Sequence, residues 1–224
     1  MTFDFCPKAV IFDMDGLLVD SEPVWAIAES AMMADRGRQV DDEIQKSLIG
    51  LRMRDFLSEM RLAYELADEV DDLYFDIVNR MVTLIPDKVF PRPGAPELLA
   101  YLHERQVPCA IASSSPMPII EGVVAAQGWG NYFAARVSGD DVTHGKPAPD
   151  IYIEAARRLG VKPSDCLALE DSPTGARAAV AAGMVCCAVP DLSHTTHAAF
   201  DAVTPYVFDS LHDVLNVLEM CTFG

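Results

Sequence analysis

Two aspartates separated by one residue follow an apolar run near the start of the chain. Asp13, Met14, Asp15 and Gly16 come directly after residues 9–12, which predict a buried strand. Ligands of open α/β sheets bind beyond the carboxyl ends of the strands, so both carboxylates are expected to face such a crevice. Two crowded carboxylates repel each other unless a cation or a proton relieves them. The pair therefore indicates a metal site, acid–base chemistry, or both.

Three further segments place polar groups just past a predicted strand. Hydroxyls and free amides at the start of a helix can bind an anion, although a serine run also serves simply as a helix cap. A lysine held between glycine and prolines is a compact charge suited to a phosphate oxygen, although most isolated loop lysines face solvent. Adjacent carboxylates suit Mg²⁺. The three segments are Ser113-Ser114-Ser115, Gly145-Lys146-Pro147 and Glu170-Asp171.

The elements that must position these groups follow from the hydrophobic pattern. Residues 20–90 read almost entirely as helix, and Pro86, Pro91, Pro93 and Gly94 then predict a linker. From there strands and helices alternate to the end of the chain. Such alternation predicts a parallel sheet with helices on both faces, and the helical block lies between its first and second strands.

The bulk composition excludes several classes of partner. The 34 acidic and 17 basic residues give a formal net charge of −17, which argues against nucleic acid and against anionic membranes. The same charge would repel a phosphate ester, so a phosphate site needs local positive charge. A bound cation, Lys146, and Arg52 or Arg54 are the candidate sources.

The length and the cysteines set further expectations. A chain of 224 residues suits a core domain with a smaller insertion. No apolar stretch approaches the roughly 20 residues of a membrane span, and the first residues lack the basic region of a signal peptide. The six cysteines show no metal-ligand spacing. We therefore expect a cytoplasmic monomer with reduced thiols.

The motifs, in this order and over nearly the whole chain, resemble those of the haloacid dehalogenase superfamily of phosphohydrolases. Asp13 to Gly16 resemble its first motif, Ser113 its second, Lys146 its third and Glu170-Asp171 its fourth. The resemblance implies an α/β fold in which a Rossmann-like parallel sheet carries an inserted small α-helical cap. The core would comprise residues 1–19 and 91–224, and the cap residues 20–90. Within the superfamily the chain is similar to the β-phosphoglucomutase-like branch, and residues 12–25 are especially similar to hexitol and 2-deoxyglucose-6-phosphate phosphatases.

The resemblance implies an Mg²⁺-dependent phosphatase that acts on small sugar phosphate monoesters of the hexose or hexitol type. Asp13 would attack phosphorus and form an aspartyl-phosphate. Asp15 would protonate the leaving alkoxide and then accept a proton from the hydrolytic water. Ser113, the amide of Ser114 and Lys146 would hold the phosphate oxygens.

The resemblance also implies the metal ligands and the cap contacts. Mg²⁺ would be bound by Asp13, by the backbone carbonyl of Asp15 and by Asp171, with Glu170 in the outer shell. Closure of the cap would expel water and present the rest of the substrate to cap residues. The candidates for substrate recognition in the cap are Trp25, Arg52 and Arg54.

Other activities remain open at this point. A phosphomutase is the nearest alternative, but the resembling mutases carry a cap His at Trp25 and a cap Arg near Met53. A dehalogenase needs neither a second acid at Asp15 nor a metal at Asp171. A phosphonatase needs a cap lysine, for which Lys46 is the candidate. A non-catalytic sugar-phosphate sensor would be better served by amides in place of the two aspartates.

Overall fold

A six-stranded parallel sheet forms the centre of the molecule, and helices cover both of its faces. The computed structural model describes residues 5–41, 43–44, 48 and 51–221. The strands are β1 (Ala9–Phe12), β2 (Val19–Asp20), β3 (Phe90–Pro91), β4 (Cys109–Ser113), β5 (Ala135–Ser138), β6 (Cys166–Glu170), β7 (Val185–Ala188) and β8 (Tyr206–Val207). The sheet has the order β5-β4-β1-β6-β7-β8, with every neighbouring pair parallel. The expected α/β fold with a parallel sheet is confirmed.

Helices connect the strands and form the insertion. They are α1 (Glu22–Ala34), α2 (Met53–Ala63), α3 (Val70–Lys88), α4 (Ala95–Glu104), α5 (Met117–Ala126), α6 (Asp150–Leu159), α7 (Pro173–Ala181) and α8 (Leu211–Leu218). Within the described part of the chain, no helix is both long enough and apolar enough to cross a membrane.

Alternating side chains of β1 anchor two hydrophobic layers. Ala9 and Ile11 belong to a cluster that includes Tyr152 of α6, whereas Val10 and Phe12 belong to a second cluster on the opposite face of the sheet. All four residues of this strand are fully buried. Because successive side chains of a strand point to opposite faces, a short apolar run is typical of a strand covered on both sides.

The helical insertion leaves and rejoins the core through a two-stranded ribbon. Val19 of β2 pairs with Pro91 of β3 in antiparallel register, and helices α1 to α3 lie between these strands in the chain. The predicted boundaries of the cap, after residue 19 and before residue 91, fall on this ribbon and remain a prediction. The cap and the core share one continuous hydrophobic cluster.

The linker was predicted to begin at Pro86, which is too early. Helix α3 continues through Pro86 to Lys88, so the linker starts only after the helix ends. Ile85, directly before the proline, is fully buried. A proline in the last turn removes only one backbone donor, and burial of this apolar face favours keeping the turn helical.

Candidate active site

The carboxyl ends of β1, β4 and β6 bring the predicted motifs to one edge of the sheet. Asp13 follows β1, and its backbone N–H donates to the carbonyl of Leu169 in β6 at 3.0 Å. Register pairs Phe12 with Ile111 on one side and with Leu169 on the other. The residues that follow these three strands therefore share one small region, as the sequence predicts.

Lys146 joins two of the carboxylates. Its Nζ donates to Oδ1 of Asp13 at 2.6 Å and to Oε1 of Glu170 at 2.7 Å. The side chains of Lys146 and Asp13 are 6% and 10% exposed, and that of Glu170 is fully buried. A buried ion pair of this kind is retained only where its charges compensate each other closely.

Burial and charge together set the ionisation of this cluster. Burial raises the pKa of Asp13 to about 8, against the opposing effect of Lys146. Although burial acts to lower it, the pKa of Lys146 is raised because Asp13 and Glu170 stabilise the ammonium. Burial, followed by the charges of Asp13 and Glu170, also raises the pKa of Asp171 well above its ordinary value. Asp13 and Asp171 thus resist ionisation beside Glu170, and a bound cation would favour their ionised forms.

Asp13, Glu170 and Asp171 fit a divalent cation. One carboxylate oxygen of each lies within 4.8 Å of the others, and hard oxygen ligands suit Mg²⁺. Gly16 makes this approach possible, because it has a φ of +82° and a Cβ there would overlap the carboxylate of Asp171. Asp13 and Asp171 line the cavity described below, whereas Glu170 does not.

The carboxylate of Asp15 is held by side chains from both the core and the cap. Its Oδ1 accepts from the Ser21 hydroxyl at 2.6 Å and from Nε1 of Trp25 at 3.4 Å. Its Oδ2 accepts from the hydroxyls of Ser113 at 3.0 Å and Ser115 at 2.8 Å. The orientation of this second carboxylate is therefore well defined.

The predicted serines occupy different positions. Ser113 is fully buried, and its Oγ also accepts from the backbone N–H of Ser115 at 3.0 Å. Ser114 and Ser115 line the cavity, whereas Ser113 is not part of its wall. The expected phosphate contact of Ser113 therefore remains a prediction.

A cavity of about 980 Å³ opens above Asp13, Asp15 and Lys146, between the core and the cap. On its cap side, Trp25, Met53 and Phe56 contribute apolar surface, beside the carboxylates of Glu22 and Glu29. A volume in this range accommodates a small metabolite. The cavity thus joins the charged cluster to a region that can contact the rest of a substrate.

The candidate recognition residues divide into two groups. Trp25 lines the cavity, but Arg52 and Arg54 do not. Arg52 donates to backbone carbonyls of the core, and Arg54 forms an ion pair with Asp71. Lys46, the candidate for a phosphonatase, lies outside the described residues.

Sequence reasoning missed three residues that shape the site and one contact of Ser115. Tyr152 donates to Glu170, and a Cβ at Gly175 would overlap the same carboxylate. Ser21 precedes α1, but its hydroxyl makes no cap bond to that helix and donates to Asp15. The Ser115 hydroxyl bonds to Asp15 as well. Two of these residues stand beside predicted motifs, which is the only sequence signal for their role.

Residues 7–183 match the family model of haloacid dehalogenase-like hydrolases. The chain belongs to this family. The fold, the order of the strand-end motifs and the inserted helices agree with membership, so the expected identification as a haloacid dehalogenase-like hydrolase is confirmed.

Curated relatives of this hydrolase carry phosphatase names. A probable pseudouridine-5'-phosphatase of Drosophila melanogaster is 36% identical over 81% of this chain and 80% of its own length. Hexitol phosphatase B of Escherichia coli K12 is 34% identical over 81% of this chain and 83% of its own length. A bifunctional riboflavin kinase/FMN phosphatase of Arabidopsis thaliana is 34% identical over 94% of this chain, which spans only 53% of that protein.

A solved structure is similar over nearly the whole hydrolase. CbbY from Rhodobacter sphaeroides, in complex with phosphate, superposes with a TM-score of 0.87 and 28% sequence identity. The match covers 96% of this chain and 100% of that chain.

Proposed function

We propose that this protein is an Mg²⁺-dependent phosphatase of hexose- or hexitol-type phosphate monoesters. The coarser assignment, phosphatase activity on a small phosphorylated compound, is supported by the family and by the names of the relatives. The observation that carries the proposal is the contact of Lys146 with Asp13, 2.6 Å long, at the floor of the cavity. It places a cation next to the carboxylate expected to attack phosphorus.

The residues support a two-step displacement. An oxygen of Asp13 forms a bond to phosphorus while the bond from phosphorus to the ester oxygen breaks, and the leaving alkoxide takes a proton from Asp15. Water then attacks phosphorus of the aspartyl-phosphate, gives its proton to Asp15 and releases inorganic phosphate with regeneration of Asp13. Lys146, Ser113 and the amide of Ser114 hold the phosphate oxygens.

The acidic cluster supplies ligands for the metal. Asp13, Asp171 and the backbone carbonyl of Asp15 would bind Mg²⁺, and Glu170 would act from the outer shell. The bound ion would offset the repulsion between the Asp13 carboxylate and a phosphate dianion. Glu170 keeps Lys146 in place through its 2.7 Å hydrogen bond.

Uncharged side chains at two cap positions of the cavity wall favour hydrolysis over phosphoryl transfer between sugar positions. Trp25 and Met53 line the wall at the positions where resembling mutases carry basic side chains. A bisphosphate intermediate would find no charge on either residue. The hexitol phosphatase relative supports a sugar-type substrate. A monomer in the cytoplasm, without nucleic-acid or membrane partners, remains our expectation.

The test measures phosphate release with Mg²⁺ from hexose, deoxyhexose and hexitol phosphates, phosphoglycolate, nucleotides and β-glucose 1-phosphate. We expect release to concentrate on hexose-type esters, to stop with a chelator and to return with Mg²⁺. The variant Asp13→Asn should lose activity by about a thousandfold or more. Asp165→Asn, which removes a surface partner of Lys8, is the matched control and should retain it. Full activity of Asp13→Asn would refute the nucleophile.

Two other results would redirect the proposal. Conversion of β-glucose 1-phosphate into its isomer without phosphate release would identify a mutase. Binding of sugar phosphates without turnover of any ester would identify a sensor.

A further inference from the structure

Arg52 of the cap contacts the core loop that carries Lys146. Its Nη1 donates to the backbone carbonyl of Thr143 at 2.8 Å and to that of Val142 at 3.3 Å. The guanidinium is oriented by Asp55 in the first turn of α2, through hydrogen bonds of 2.8 Å and 3.4 Å. A planar fork of donors can satisfy a carboxylate and two carbonyls together, which an ammonium group cannot do in the same geometry.

The stem of Arg52 also packs against the residue before Lys146. A Cβ added to Gly145 would overlap Cγ and Cδ of Arg52. The aliphatic part of the arginine therefore lies directly on the backbone of Gly145, and the next residue is the lysine that reaches Asp13. A side chain rooted in the cap thus fixes the chain on the approach to Lys146.

The same loop region has a second tie to the cap. The hydroxyl of Tyr74 in α3 donates to Oδ2 of Asp140 at 2.6 Å. The guanidinium carbon of Arg54 lies 4.6 Å from the centre of the Tyr74 ring and adds a cation–π contact. Two helices of the cap therefore hold one core segment, residues 140–145.

Ser138 and Arg158 of the core hold residues 140 and 141 of this segment, so the contacts with the cap matter most for residues 142–145. A backbone hydrogen bond of 3.0 Å joins Ala148 to Gly145, and His144 contacts Asp150. Residues 142–149 contain no helix or strand. Loops of this kind open with less free energy than the sheet, so external contacts are important for the position of Lys146.

The geometry points to Arg52 as a positioning residue that couples closure of the cap to placement of Lys146. The cap joins the core through the β2–β3 ribbon. The hydrogen bonds from Arg52 to the Thr143 and Val142 carbonyls therefore depend on the position of the cap. When the cap is closed, Arg52 holds the loop so that Lys146 reaches Asp13 and the phosphate together. Coupling of this kind makes catalysis conditional on closure. The inference rests on the proposed phosphatase function for its kinetic part alone.

The experiment compares Arg52→Ala and Arg52→Lys with Arg61→Ala. Arg61 is the matched control because it lies in α2, the helix that Arg52 precedes, and its hydrogen bond and ion pair are with cap residues, the Asp68 carbonyl and Glu69. Amide hydrogen exchange of residues 142–150 should be about tenfold faster in Arg52→Ala, while peptides from β1 and β6 keep their parental rates. Arg61→Ala should match the parent throughout.

The kinetic part separates positioning from binding. In Arg52→Ala we expect kcat for phosphate release to fall about tenfold with little change in KM, since a misplaced lysine weakens the transition state more than the bound substrate. The kcat of Arg52→Lys should lie between those of the parent and of Arg52→Ala. Parental exchange and parental kcat in Arg52→Ala, or an equal change in Arg61→Ala, would overturn the inference. If the parent protein released no phosphate, the proposed function would fail and the exchange measurement alone would decide the coupling.

Discussion

The hydroxyl of Tyr152 donates a 2.6 Å hydrogen bond to Oε1 of Glu170, the oxygen that also accepts from Lys146. Tyr152 and Glu170 are fully buried. Burial raises the pKa of Tyr152 well above its ordinary value, so the phenol keeps its proton and remains a donor. Nζ of Lys146 lies 5.2 Å from the centre of the same ring. Tyr152 therefore holds Glu170 and flanks Lys146 without reaching the cavity.

The variant Tyr152→Phe tests the energetic weight of this contact. A buried hydrogen bond to a charged group contributes about 1.5–3 kcal/mol, so we expect a loss of that order in the free energy of unfolding from urea titration. Tyr101→Phe is the control, since the Tyr101 hydroxyl donates to the neutral carbonyl of Leu218 at 3.0 Å. That variant should lose about 1 kcal/mol. Equal losses would contradict a charge-assisted bond at Tyr152.

Gly175→Ala tests whether the start of α7 must leave room for Glu170. A Cβ at residue 175 would overlap the Glu170 carboxyl, which the Ser172 hydroxyl also contacts at 3.1 Å. Overpacking in a buried region costs about 1–3 kcal/mol, and displacement of Glu170 would release Lys146. We therefore expect lower stability and slower phosphate release. Gly130→Ala, where a Cβ meets nothing within 4 Å, should change neither. Parental activity of Gly175→Ala would show that Glu170 can move freely.

A stability profile against pH tests the ion pairs of α6. Hydrogen bonds from Arg157 and Arg158 lower the pKa of Glu154 from 4.5 to about 2. The folded state therefore gains stability from the ionised carboxylate above pH 4.5, and loses this gain as the pH falls toward 2.

Relative to Glu154→Gln, the parent should melt about 1–3 °C higher at pH 6, as expected for surface pairs. The difference should narrow between pH 4.5 and pH 3 in thermal scans. A gap that stays constant over this range would exclude ionisation as its cause. Lys162→Gln, a substitution just after the same helix, is the control. Its difference in melting temperature from the parent should not narrow between pH 4.5 and pH 3.

The four strand-end motifs could be predicted because parallel topology brings the carboxyl ends of strands to one edge. Once residues 9–12 and 166–169 are recognised as buried parallel strands, Asp13 and Asp171 are expected at the same edge of the sheet. The spacing of apolar residues and the rule that ligands bind at the carboxyl ends of parallel strands therefore suffice to predict which motifs form the centre of the site. The strand order, which the sequence did not predict, places β1 next to β6 and so brings the two residues close together.

The contacts that support this centre could not be predicted from the sequence. Tyr152 belongs to the apolar face of an amphipathic helix, and its sequence pattern is the same with or without a partner for its hydroxyl. The β2–β3 ribbon consists of two-residue strands whose pairing joins Val19 to Pro91 across the whole insertion. Arg52 was expected at the substrate, yet its donors are satisfied by carbonyls of a distant loop. Each of these depends on contacts between segments far apart in sequence.

Ser21→Ala tests whether the cap junction orients Asp15. The Ser21 hydroxyl, on a residue only 1% exposed, donates to Oδ1 of Asp15 at 2.6 Å, directly after the β2 strand that leads into the cap. Without it, one oxygen of the proposed acid–base carboxylate keeps only the longer contact from Trp25. We expect kcat for phosphate release to fall about three- to tenfold. The free energy of unfolding from urea titration should also fall, by about 1.5–3 kcal/mol, because the lost hydrogen bond is buried and made to a carboxylate.

Two variants separate this effect from loss of any serine. Ser21→Thr keeps a hydroxyl and should recover much of the rate. Ser58→Ala removes a cap hydroxyl that donates to the Arg54 carbonyl at 2.7 Å, far from Asp15 in the hydrogen-bond network, and should retain the parental kcat. If Ser21→Ala were as active as the parent, the remaining donors Ser113 and Ser115 would be sufficient to orient Asp15. We expect Ser21→Ala to be less active than the parent. Ser113 and Ser115 both bond to Oδ2 of Asp15, so the position of Oδ1 depends on the hydroxyl of Ser21.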